Sequence, residues 1–154
     1  MNRIPKIFIA ILLLLPLIYS CTKEDPIIDP TKTPEERLVG NWKLTEFESD
    51  YLGGIMINAY PFLQPCFTDN ILMFFADHTF VMEEAETKCA PHHPQIYEQG
   101  DWVFLDNGKK IKYGTYEVEI LELSDTKLKS TYQLQDTIQN KTSTFIQTFT
   151  KIDQ

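Results

Sequence analysis

Beyond Gly40 the helical period disappears, and the chain breaks into short runs of β-forming residues parted by turn chemistry. This restricts the fold more than any other feature. The runs are Asn41–Glu48, Asn70–Phe75, Thr79–Glu84, Gly100–Leu105, Lys109–Tyr113, Thr115–Leu123, Lys127–Gln135 and Thr142–Ile152. Asp106-Asn107-Gly108, Ser124-Asp125-Thr126 and the polar stretch Asp136 to Lys141 supply turns between them. Short connections favour antiparallel neighbours, because a parallel crossover needs about a dozen residues or more. An open meander would leave two unprotected edges, and closing the sheet removes both. The expected fold is all-β: a small antiparallel up-and-down barrel of about eight strands, with an open sandwich as the alternative.

A short N-terminal helix leads into this sheet. Thr33 can cap it, Pro34 suits its first turn, Glu36 completes a capping box, and Gly40 stops it. Within the sheet, Tyr116, Val118 and Ile120 alternate with Glu117 and Glu119, after which the apolar phase slips to Leu121 and Leu123. A bulge or sharp bend near Ile120 accounts for the slip. Ile71 to Phe75 is apolar on both faces and should be covered on both.

The residues before the helix do not belong to the fold. Asn2, Arg3 and Lys6 followed by the apolar stretch Ile7 to Ile18 have the parts of a secretory signal, and that stretch is too short to span a bilayer. Leu17-Ile18-Tyr19-Ser20-Cys21 resembles the lipobox of bacterial lipoproteins. The resemblance implies cleavage before Cys21 and acylation of its sulfur and amine, which anchors the protein on the outer membrane of the cell envelope. Thr22 to Lys32, with Pro26 and Pro30 and little to bury, reads as a tether. Lys23-Glu24-Asp25 resembles a surface-export signal of some Gram-negative lipoproteins, and a plain solvated linker is the alternative. The expected organisation is residues 1–20 leader, 21–32 lipidated cysteine and tether, and 33–154 barrel. Without the leader's Arg3 and Lys6, 12 cations face 22 carboxylates, a balance that speaks against nucleic-acid binding.

Leu38-Val39-Gly40-Asn41-Trp42-Lys43-Leu44 resembles the Gly-x-Trp opening of lipocalins. Cys66-Phe67-Thr68-Asp69-Asn70, Phe75-Ala76-Asp77-His78-Thr79-Phe80, Lys88-Cys89, Gly100-Asp101-Trp102 and Tyr116 to Ile120 follow in the order seen in lipocalin-like bacterial lipoproteins. The resemblance runs from about Pro34 to Ile152 and implies a barrel that binds a small hydrophobic molecule. The only arginine after the leader is Arg37, so the arginine that packs on this tryptophan in secreted lipocalins has no arginine counterpart here.

Cys66 and Cys89 are expected to form a disulfide. A two-residue turn at Asp77-His78 would pair Phe75 with Phe80 and Met73 with Met82, and the same ladder carried outward brings the cysteines opposite each other. The competing reading takes Cys89, His92 and His93 as metal ligands at a suitable spacing, but a disulfide removes the thiolate. No nucleophile elbow, phosphate loop or dinucleotide fingerprint occurs, and Glu83, Glu84 and Glu86 read as a solvated strand end. We therefore expect no enzyme and no cofactor.

Tyr51–Pro65 is a long apolar connection between the first two strands. It reads either as a lid over the barrel mouth or as a plug that buries its own side chains. As a lid it would contribute Tyr51, Ile55, Met56, Tyr60 and Phe62 to a ligand site, with Trp42 inside the barrel. The expected protein is a monomeric envelope lipoprotein that binds a small hydrophobic ligand; the alternative is an accessory lipoprotein that holds an envelope protein or glycan through its outer face or loops.

Overall fold

The computed structural model describes residues 28–51 and 53–153. The leader, Cys21 and the Lys23-Glu24-Asp25 segment lie outside the described residues. Helix α1, Pro34–Leu38, begins as its sequence dictates: the Glu36 amide donates to Thr33 Oγ1 at 3.2 Å and the Thr33 amide to Glu36 Oε2 at 2.8 Å.

Nine strands follow among the described residues: β1 Gly40–Ser49, β2 Ile57–Asn58, β3 Ile71–Phe74, β4 Thr79–Glu83, β5 Ile96–Leu105, β6 Lys110–Tyr113, β7 Tyr116–Leu123, β8 Lys127–Asp136 and β9 Lys141–Ile152. Each of the eight longer strands is hydrogen-bonded antiparallel to the next, and β9 returns to β1, pairing Asn41 with Ile152 through to Ser49 with Phe145. The sheet is thus a closed eight-stranded barrel, and no long edge remains. The two-residue β2 extends the edge of β1 at Glu48 and Ser49, past the point where β3 leaves it. The β7–β8 register shifts between Ile120 and Glu122, the bulge expected from the slipped apolar phase.

The β3–β4 hairpin differs from expectation by one residue. Phe74 pairs with Phe80 and Leu72 with Met82, so Phe75 does not oppose Phe80, nor Met73 Met82. The cause is a three-residue loop, Ala76-Asp77-His78. The His78 amide donates to Phe75 O at 3.1 Å, and His78 takes a left-handed φ of 67°, closing a turn that a two-residue loop would not make. Cys66 and Cys89 are nevertheless joined, with their Cα atoms 5.1 Å apart. The bond does not extend the ladder: Cys66 sits in the short helix α2, Pro65–Thr68, and Cys89 in the β4–β5 connection.

One end of the barrel is filled. Leu38, Trp42, Phe74, Phe80 and Ile111 are fully buried there, with Trp102 and Leu128 beside them. Trp42 Nε1 donates to Leu38 O at 2.7 Å and Trp102 Nε1 to Phe75 O at 3.1 Å, so both indoles bury their rings without orphaning their N–H groups. The chain leading into α1 is tied to this same end. The Asp29 amide donates to Asp125 Oδ2 at 2.6 Å, Lys32 pairs with Asp125 at 3.0 Å, and Arg37 Nη2 donates to Asp29 O at 2.6 Å.

Candidate functional site

Above the packed base the barrel encloses a cavity of about 230 Å³. Successive inward positions of the strands give it an apolar wall of Leu44, Leu72, Met82, Val118 and Phe149. Phe67, on α2, stands at its mouth, and Asn70 and Gln147 contribute amides. The remaining lining is four tyrosines, Tyr97, Tyr113, Tyr116 and Tyr132, one from each of β5 to β8.

Local structure explains their convergence. Tyr113 and Tyr116 are paired across the two-residue turn Gly114-Thr115, and their rings lie 5.4 Å apart. Tyr113 is also wedged edge-on against Phe74 and Phe80, each at 5.5 Å, so it forms the floor between base and cavity. Tyr132 stacks on Phe145 at 5.1 Å. On β5 the register shifts between Met82↔Glu98 and Glu83↔Ile96, leaving Tyr97 as an extra residue. From that bulge its hydroxyl reaches Met82 Sδ and accepts a long contact from Asn70 Nδ2 at 3.5 Å.

All four phenols are held in the protonated form. Burial pushes Tyr97 up to about 12, with Tyr116, Glu98 and Glu84 adding to the effect. Tyr113 is raised further, and Tyr132 is raised too, by burial first and then by Tyr116. Tyr116 is raised by burial, by the charge of Glu98 and by its hydrogen bond to that carboxylate. Glu98 can stand so close because Gly114 has no Cβ: one built there would lie 2.5 Å from Glu98 Oε1 and 2.9 Å from Phe80 Cζ. Among the described residues the lining contains no lysine, arginine or histidine. Its polar groups are neutral hydroxyls and amides, suited to orienting a bound molecule.

The residues singled out from the sequence lie elsewhere. None of Trp42, Tyr51, Ile55, Met56, Tyr60 and Phe62 lines the cavity. Trp42 is buried in the base. Tyr51, Ile55 and Phe62 are 70%, 87% and 80% exposed, and Met56 borders a shallow outer groove with Glu46 and Glu48. Tyr60 packs against the edge of the core and donates its hydroxyl to Leu44 O at 3.3 Å. The β1–β3 connection does reach the cavity, but two residues past Pro65, through Phe67.

Cys89, bound to Cys66, offers no thiolate to a metal. His93 Nδ1 lies 3.1 Å from Oε1 of the buried Glu84, and His92 packs edge-on against His93. The four tyrosines were missed because each looks like an ordinary strand residue. Their common signal is phase: counting in twos from Ile111, Val118 and Ser130 brings Tyr113, Tyr116 and Tyr132 to the inner face. Tyr97 breaks that phase, and its bulge leaves no trace in the residue pattern.

A sequence profile of the family described as "Lipocalin-like domain" matches residues 38–130. No curated protein matches the chain. Among solved structures, bovine odorant binding protein in complex with a selenium-containing odorant is similar at 16% identity, over 82% of this chain and 77% of that one, with a TM-score of 0.41. The same bovine protein with its natural ligand is similar at 16% identity, over 82% and 78% of the two chains, with a TM-score of 0.42.

Proposed function

The chain belongs to the lipocalin-like domain family, and from that premise we propose that it is a membrane-anchored envelope lipoprotein whose barrel binds a small hydrophobic molecule without catalysis. The observation that carries this reading is the division of the barrel interior into a filled base and a cavity of about 230 Å³. A barrel kept only for structure gains by filling its interior, since unfilled volume forfeits packing energy. The cavity lies just under the usual range for drug-sized ligands, about 300–1,000 Å³, so the molecule is small. The lipobox-like Leu17 to Cys21 segment supports the anchor, and residues 22–28 then serve as the tether, because Asp29 and Lys32 are already fastened to the barrel.

A second reading rests on a different observation. Tyr51, Ile55 and Phe62 project from one connection with most of their surface in water. Exposed apolar side chains of that size support an accessory role, in which the loop holds an envelope protein or glycan.

Native mass spectrometry of residues 22–154, exported through an oxidising periplasm, separates the two. All described strands, both helices and the whole core lie within that segment. A copurified organic mass that leaves on denaturation is the expected result for the carrier. A bare chain that neither carries nor takes up any apolar compound would leave the accessory reading.

A further inference from the structure

We propose that the cavity selects a monocation, a tertiary or quaternary ammonium on a small apolar body, held among the rings of Tyr97, Tyr113, Tyr116 and Tyr132. This inference rests on the carrier reading above and specifies its ligand.

Four strands deliver four phenol rings to one space, and Phe67 and Phe149 add two further aromatic side chains. Aromatic faces carry the negative side of a quadrupole, and a cage of such faces attracts a cation, most strongly when water is excluded. The carboxylate beside the cage adds an attraction of the same sense. Among the described residues the lining has no cationic side chain, while the half-buried Glu98 stands beside it, hydrogen-bonded to Tyr116. Gly114 is what admits that carboxylate.

An anionic ligand would shed its hydration and meet neutral hydroxyls, amides and an adjacent carboxylate, with no counter-ion to replace water. Metal ions are disfavoured on separate grounds: neutral phenols are poor ligands, and among the described residues no group of three histidine, cysteine or carboxylate side chains could hold one. A substituted ammonium avoids both problems. It is weakly hydrated, its alkyl groups suit Leu44, Leu72 and Val118, and its charge is spread over the carbons that touch the rings.

The test is isothermal titration of residues 22–154 with three probes of similar shape. Phenyltrimethylammonium carries the charge, tert-butylbenzene is its neutral isostere, and benzenesulfonate is an anion of similar size. Phenyltrimethylammonium should bind about tenfold more tightly than tert-butylbenzene, and benzenesulfonate should not bind. Glu98→Gln, which keeps the side chain's shape, should shrink the ratio of cation to neutral affinity by about threefold or more. Equal affinity for tert-butylbenzene, or preference for benzenesulfonate, would overturn the cation selectivity and leave the carrier reading standing. Failure of all three probes to bind would overturn both, and an unchanged ratio in E98Q would remove Glu98 from the site.

Discussion

The ammonium of Lys151 lies 4.8 Å above the centroid of the Trp42 ring. It donates at the same time to Arg37 O at 2.6 Å and Val39 O at 2.7 Å, two carbonyls at the end of α1. One side chain thus joins the last strand, the first strand and the helix. Lys151→Met keeps much of the aliphatic stem but removes both charge-assisted bonds and the ring contact. The expected cost is about 2 kcal/mol, read from the urea midpoint at unchanged m-value. A midpoint within error of the parent would show that the lysine is a bystander.

The Cys66–Cys89 bond closes a loop of 23-residue separation and ties α2, with Phe67 at the cavity mouth, to the β4–β5 connection. In the chain-entropy model such a loop contributes about 3 kcal/mol. The double substitution Cys66→Ser, Cys89→Ser should lower unfolding free energy by roughly that amount. Amide exchange should rise first in residues 64–70 and 84–95, before the base of the barrel opens.

Gly114 has a φ of 54° and no room for a Cβ. Gly114→Ala must strain the turn and displace Glu98 or Phe80. The expected loss is about 1–3 kcal/mol, with the Tyr116 phenol titrating lower as Glu98 withdraws. A stable variant with an unchanged tyrosine titration would contradict the close approach.

The raised tyrosines make stability depend on pH in one direction. A phenol raised in the folded state binds its proton more tightly there than in the unfolded chain. Its contribution is therefore complete below the unfolded value of 10.0 and is lost as pH climbs towards the folded value, about 12 for Tyr97. Lys151, lowered by burial, acts oppositely, and its effect falls below 10.5. Denaturation midpoints should be flat near neutrality and fall between pH 10 and about 12. Ultraviolet titration should show Tyr97 ionising near pH 12 and Tyr113 later still, and loss of both protons near pH 10 would refute the raised phenols.

The anchor has a direct readout. Labelled palmitate should enter the wild-type protein in its native host and not the Cys21→Ser variant. Absence of label from the wild type would remove the lipoprotein reading and leave the barrel untouched.

The architecture was legible because each device behind it is local. Thr33 to Glu36 spell out a capping box, the alternation from Tyr116 to Ile120 gives a strand with one wet face, and the slip to Leu121 marks a bulge. The register of β3 on β4 was not legible, because Asp77-His78 fits a two-residue or a three-residue loop, and only the bond from the His78 amide to Phe75 O, which sets Thr79 opposite Phe75, decides between them. The cysteine pairing was reached through that incorrect register. The bond forms because two connections meet above the barrel, a long-range coincidence that no ladder count contains. The cavity was obscured for a related reason. Tyr51, Ile55 and Phe62 are conspicuous as an apolar run in a loop, whereas an inward tyrosine differs from an outward one only by its phase.

The moorings of Asp29, Lys32 and Arg37 give the molecule a heading. They fasten the incoming chain to the Ser124–Thr126 turn at the filled end, while Phe67, Tyr97 and Tyr116 rim the other. Asp29 lies eight Cα steps beyond Cys21, a reach of at most about 28 Å. With Cys21 embedded in the lipid as proposed, the barrel stands base-down on its membrane and opens away from it. A guest would then come from the water the mouth overlooks, and the bilayer beneath would serve as a mooring, not as a reservoir.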